Sequence, residues 1–179
     1  MKIIFKNPML LSFSILSIWF PLSIARADVT DAIAANGEAL VATVHAEGVQ
    51  VYECKPDAAG VLAWQFREPV ATLMLNGKTV GRHYAGPRWE LEDGSTIAGK
   101  VAARAPGATA NDIPLLRLNA SSENVSGLLA GVTTIQRLNT KGGVAEGVCD
   151  MPGALLGVPY ASDYAFYRRS PMPYSRHAE

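Results

Sequence analysis

Punctuation constrains this chain more than any other feature. From Leu40 onward, short runs rich in Val, Ile, Thr, Tyr and Trp are broken by Gly, Pro, Asn and Asp before a run reaches helical length. Side chains of that kind pack well on a pleated surface and lose rotamer freedom in a helix. The chain therefore reads as all-β, a sandwich or flattened barrel, with strands expected at 39–46, 48–54, 61–67, 70–75, 78–84, 88–92, 95–103, 113–119, 131–138 and 161–168. Segments 105–112 and 142–159 collect Gly, Pro and Ala and read as irregular loops, and 122–130 reads as one helical turn. Ahead of the strands, Asp28 to Ala35 followed by Asn36-Gly37 reads as a short N-terminal helix ended by left-handed backbone.

Two turns set a register. Asn76-Gly77 and Asp93-Gly94 suit two-residue type I′ turns, whose twist matches the strands they join. The first turn sets Leu73 opposite Val80 and Ala71 opposite Arg82, with Leu73, Val80 and Tyr84 on one face and His83 on the other with Thr72 and Met74. Around the second, Leu91 faces Thr96, Trp89 faces Ala98 and Glu90 lies across from Ile97. A one-residue bulge reverses such assignments.

The N-terminus carries an export address. Met1 to Lys6 is a basic start, Met9 to Phe20 is almost wholly apolar, and Ala25-Arg26-Ala27 is the small-x-small pattern of a secretory signal cleaved after Ala27. Pro21 interrupts a run already shorter than the ~20 apolar residues a spanning helix needs, so no membrane span is expected. The expected organisation is a signal peptide at 1–27, one β-rich domain at 28–168 and a polar tail at 169–179, in a product secreted or held in a periplasm. Removing 27 of 179 residues leaves 152, enough for a core of its own. The removed part holds Lys2, Lys6 and Arg26 and no acid, so 16 positive and 16 negative charges become 13 and 16. A net charge of −3 argues against nucleic acid as a partner.

In an oxidising compartment, two cysteines without CxxC spacing favour a single Cys54–Cys149 disulfide, with two separately buried thiols as the alternative. Chemical motifs are sparse. Phosphate loops, His-Glu-x-x-His, Gly-x-Ser-x-Gly and acidic calcium loops are all missing. Only His45, His83 and His177 could serve as imidazole ligands, and His177 lies in the tail, so no metal site and no cofactor are expected.

The densest polar and aromatic stretch is Gly81 to Glu90. Read as a site, it offers His83 and Glu90 as an acid-base pair brought together across a Gly-Pro break, with Arg82, Tyr84, Arg88 and Trp89 as ligand-binding groups. Read as structure, Trp89 and Tyr84 are core rings, His83 bonds to backbone, and the charges coat a solvated face. The structural reading is the favoured one for these residues.

Five ordered stretches carry a family resemblance: Gly48 to Cys54, His83 to Glu90, Asp93-Gly94-Ser95, Gly131 to Gly143, and Pro159 to Tyr167. Together they resemble the domain of unknown function 3455, a family of small exported bacterial and fungal proteins. The resemblance implies export and a small β-rich domain, and it implies no activity and no catalytic residues. The expected role is a ligand-binding or cell-envelope interaction module whose partner is a small molecule, a glycan or an envelope component. The alternatives are a cofactor-independent enzyme using His83 with a carboxylate such as Glu90, and a purely structural envelope protein. Intact-mass and thiol-labelling measurements on exported protein should give a chain beginning at Asp28 with no alkylatable thiol until reduction. Two thiols labelled under non-reducing denaturation would refute the bridge.

Overall fold

The computed structural model describes residues 31–122 and 126–170. Eight antiparallel strands follow one another around a closed barrel: β1 (Glu38–Pro56), β2 (Leu62–Leu75), β3 (Lys78–Tyr84), β4 (Arg88–Leu91), β5 (Thr96–Ala105), β6 (Leu115–Ser122), β7 (Thr134–Gly142) and β8 (Leu155–Arg169). Each pairs with its sequence neighbour, and β8 returns to pair with β1. The all-β expectation holds and the form is a closed barrel, so the sandwich alternative is set aside. Of the expected N-terminal helix, residues 28–30 lie outside the described residues. Asp31 and Ala32 keep helical backbone and the chain then turns, Ala34 N–H donating to the Asp31 carbonyl at 3.2 Å, but no helix is among the described elements.

Two expected strand breaks are absent. Gly48 keeps β1 continuous because β2 crosses it so closely that a Cβ would sit 2.1 Å from the Val70 carbonyl oxygen. A side chain there would push the strands apart, so this glycine permits contact and makes no turn. Pro69 is absorbed into β2 beside a bulge in which Arg67 is the extra residue between Phe66 and Glu68. The expected loop at 142–159 is partly strand, since β8 begins at Leu155. Its first residues pair only with β1, leaving an open side on which Pro159 costs no ladder bond.

Both hairpin registers shift by one. At the first, Asn76 and Gly77 take the expected left-handed backbone (φ 52° and 74°). A bulge at Val80 then sets His83 opposite Ala71 and turns it to the inner face with Leu73. At the second, the Asp93 carboxylate accepts both the Ser95 amide (2.9 Å) and its hydroxyl (2.6 Å), tightening a three-residue loop in which Leu91 meets Ser95. Trp89 therefore faces Ile97 in place of Ala98, and both are buried.

The barrel has a closed end and an open one. At the closed end, Leu129 and Val132 from the β6–β7 connection join the core of Val44, Leu73, Ile97 and Phe166. Asp93 holds this plug, accepting the Leu128 amide at 2.7 Å, and Ser95 Oγ accepts the Leu129 amide at 3.4 Å. Gly127 begins it in left-handed backbone (φ 86°), where a Cβ would lie 2.6 Å from Ser95 Cβ. Beyond the open end, the β1–β2 hairpin is tied by the Cys54–Cys149 disulfide to the segment before β8. The bridge spans a sequence separation of 95, worth at most about 4–5 kcal/mol by loop entropy. Gly127→Ala should cost about 1–3 kcal/mol in urea unfolding through strain and clash together. Gly147→Ala, equally left-handed with open space around it, should cost less; equal losses would refute the plug contact.

Candidate functional site

Strand alternation divides the polar stretch in two. In the β3–β4 ladder, Arg82 pairs with Glu90 and His83 with Trp89, so successive residues go to opposite sides of the wall. Outside, Arg82 donates to both Glu90 oxygens (2.9 and 3.1 Å), and the Tyr84 hydroxyl donates to Glu90 at 3.0 Å. These bonds hold the Glu90 carboxyl below its usual range, Arg82 contributing most. The Arg82 guanidinium also lies 5.0 Å from the Tyr84 ring. The structure thus does not bring His83 and Glu90 together. Arg88 sits beside the Gly86 turn, where its guanidinium occupies the space a Gly86 side chain would need.

Inside, His83 is 3% exposed and stacks on the Trp89 ring, with centroids 4.3 Å apart and planes 13° from parallel. Tyr164 meets both rings, at 4.9 Å from His83 and 5.0 Å from Trp89. His83 Nδ1 lies 2.8 Å from the Arg88 carbonyl, which can only accept, so Nδ1 carries the proton. Nε2 is then the acceptor nitrogen of the ring. Burial drives the imidazole pKa down to about 3 and the Arg137 charge adds to this, outweighing the carbonyl bond. His83 is therefore neutral at ordinary pH.

Above these rings the barrel opens into a cavity of about 570 Å³. Its floor includes His83, Trp89, Tyr164 and Leu118, and its mouth includes the half-exposed Phe66. Three guanidinium groups, Arg67, Arg104 and Arg137, line it, and no carboxylate does among the described residues. Arg67 is paired outward with Glu68 at 3.1 Å, whereas Arg137 is fixed by two bonds to the Pro114 carbonyl at 2.8 and 3.0 Å. The Arg137 field reaches Tyr52, His83 and Tyr160, placing its charge on the inner side.

Several buried polar atoms here have no partner. Gln50 Nε2, Trp89 Nε1 and the hydroxyls of Tyr160 and Tyr164 are buried and make no well-formed hydrogen bond. Gln50 and Tyr164 lie against the Tyr160 hydroxyl without satisfying the bonding capacity of the group. An unpaired buried polar group costs about 1–3 kcal/mol. Gln50, Trp89 and Tyr164 all line the cavity, which makes it the candidate site.

Of the sequence candidates, His83 and Trp89 line the cavity, while Arg82, Tyr84 and Glu90 form the outer network. Gln50, Arg104 and Arg137 were missed. A signal existed: Val44, Ala46, Gly48 and Gln50 share one period-two face, and so do Ile135 and Arg137. A polar residue at an inward position of an apolar alternation was the clue. On the outer face, His45 bonds Asp163 at 2.8 Å and is raised in pKa chiefly by that bond. Among the described residues no cluster of groups fit to hold a metal occurs.

Eight antiparallel strands among the described residues, closed around a cavity, define a small up-and-down β-barrel. The chain belongs to the family described as protein of unknown function (DUF3455), which matches residues 34–168. No curated protein and no solved structure matches it.

The neutral His83 makes stability depend on acid with a definite sign. Its folded pKa lies near 3, below an unfolded value of about 6.5. The unfolded chain therefore takes up the proton first, and stability present above the unfolded pKa is lost as pH falls. Between pH 7 and 5 the wild-type protein should lose roughly 2 kcal/mol more than His83→Gln in chemical denaturation. Parallel curves would contradict the buried neutral imidazole.

Proposed function

We propose that this protein is an exported small-molecule-binding barrel whose ligand enters the open end and rests on the Trp89, His83 and Tyr164 rings. The observation that carries this reading is the set of buried polar atoms without a partner on residues that line the cavity, Gln50 Nε2 above all, in a residue only 2% exposed. A fold without a ligand gains nothing from such groups, and a ligand supplies their partners. The cavity volume of about 570 Å³ falls within the roughly 300–1,000 Å³ of small-molecule sites. Acid-base catalysis has less support, because no carboxylate among the described residues shares the cavity with His83.

Export is supported by the Ala25-Arg26-Ala27 pattern and by the disulfide, a bond of oxidising compartments. No helix among the described residues is long and apolar enough to cross a membrane. The barrel's outer positions include His45, Glu47, Arg82, Glu90, Lys100 and Asp163. Charges there favour water around the barrel over a lipid-facing band.

Residues kept for binding should be dispensable to folding. Gln50→Leu and Tyr164→Phe remove unpaired polar groups from the interior, so each should leave urea stability unchanged or raise it by up to about 1 kcal/mol. In a thermal-shift screen of small molecules, the same variants should lose stabilisation that the wild type shows. Losses of about 2 kcal/mol or more in both variants would show that these groups serve the fold and would overturn the reading.

A further inference from the structure

The cavity has two unlike sides. Resting on the binding reading, we propose that the occupant is a small organic anion, an apolar or aromatic body bearing one carboxylate-type group whose charge lies against the wall formed by β7, β8 and β1.

That wall carries Arg137 on β7, Tyr164 on β8, and Gln50 and Tyr52 on β1, strands adjacent in the ring. Arg137 is held by its two bonds to the Pro114 carbonyl, so its charge is positioned before any ligand arrives. Beside it, the Gln50 amide and the Tyr164 hydroxyl lie against the Tyr160 hydroxyl but make no well-formed hydrogen bond, so both have donor capacity left to offer. A carboxylate accepts from an amide, a hydroxyl and a guanidinium together, and bonds of that charged kind are the strong ones. Tyr52 is excluded from this set, because its hydroxyl already donates to the Gly143 carbonyl at 2.6 Å.

The facing wall asks for carbon. Phe66 and Pro69 on β2, Pro87 in the β3–β4 turn, Val101 on β5 and Leu118 on β6 present apolar surface, with the Trp89 ring below them. At the rim, Arg104 has no ion-pair or hydrogen-bond partner among the described residues and adds positive potential at the entrance. A cation would meet the Arg137 and Arg104 guanidinium groups and, among the described residues, no lining carboxylate, which argues against that class. A wholly apolar ligand would leave Gln50 and Tyr164 as unpaired as they are now.

The test uses the disulfide-intact protein and two matched probe pairs, cinnamate with cinnamamide and decanoate with decanol, followed by calorimetric titration. The anions should bind at least about tenfold more tightly than their neutral partners, and Arg137→Gln should remove most of that difference. Gln50→Leu should weaken the anions and leave decanol within about threefold. Arg82→Gln, on the outer wall, should change nothing. Because Arg137→Gln also loses bonds to Pro114, its fold is checked by circular dichroism, and Gln50→Leu carries the test if that variant unfolds. Neutral probes binding as tightly as the anions, unaffected by these substitutions, would overturn the anion assignment and leave the binding reading intact. Saturable binding by none of the four probes would overturn the anion assignment too, and a neutral binder in the wider thermal-shift screen would then separate its failure from that of the binding reading.

Discussion

Everything inside this molecule depends on the first strand meeting the last. The β1–β8 ladder runs from Glu38 opposite Arg169 to Glu53 opposite Leu155, and it turns a twisted meander into a ring with an interior. Closure satisfies the backbone of both terminal strands, which as edges would template pairing with other chains. It also defines an inner face on every strand, so that alternation alone decides which side chains meet water and which meet one another. Glycines make the closure sterically possible. Gly48 lets β2 approach β1, Gly81 lets β4 approach β3, and Gly99 leaves room for the Trp89 ring. This ladder joins residues far apart in sequence, a topology that folds slowly because loop closure precedes its reward.

The interior is then divided along the barrel axis. Near the plug it is packed with aliphatic and aromatic side chains, Leu73, Ile97, Leu129, Ile135 and Phe166 among them. Towards the mouth the packing gives way to a stacked imidazole and indole, unpaired amide and hydroxyl groups, and a fixed guanidinium. A core selected for stability alone would fill that volume with apolar side chains, which are often as good as or better than buried polar groups. The energetic case for a bound ligand rests on that contrast.

How much of this was readable from residues can be argued position by position. The all-β class and the cysteine pairing follow from composition and parity, and Asn76-Gly77 adopts the backbone its residues demand. The faces of the two hairpins were misread because local turn chemistry does not reveal a bulge at Val80, nor the Asp93-Ser95 bonds that add a residue to the second loop. The slip at the first hairpin moved His83 from the face of Thr72 and Met74 to the buried face of Leu73. The stretch Gly81 to Glu90 was singled out for its density, yet the wall of the barrel separates His83 from Glu90. The remaining cavity residues come from distant strands, Gln50, Arg137 and Tyr164, whose meeting depends on ring closure and lies beyond any local pattern.

The side-chain amide of Gln50 reports most directly on whether this interior exists to hold a ligand. Its resonances can be followed by heteronuclear NMR while cinnamate is titrated into the isotopically labelled, disulfide-intact protein. The account predicts a saturable shift of the Gln50 amide, with slowed exchange of its protons as they acquire a partner and parallel movement of the Trp89 ring signals. Saturable binding that perturbs only outer-wall residues such as Arg82 and Tyr84, with the Gln50 and Trp89 signals unmoved, would contradict it.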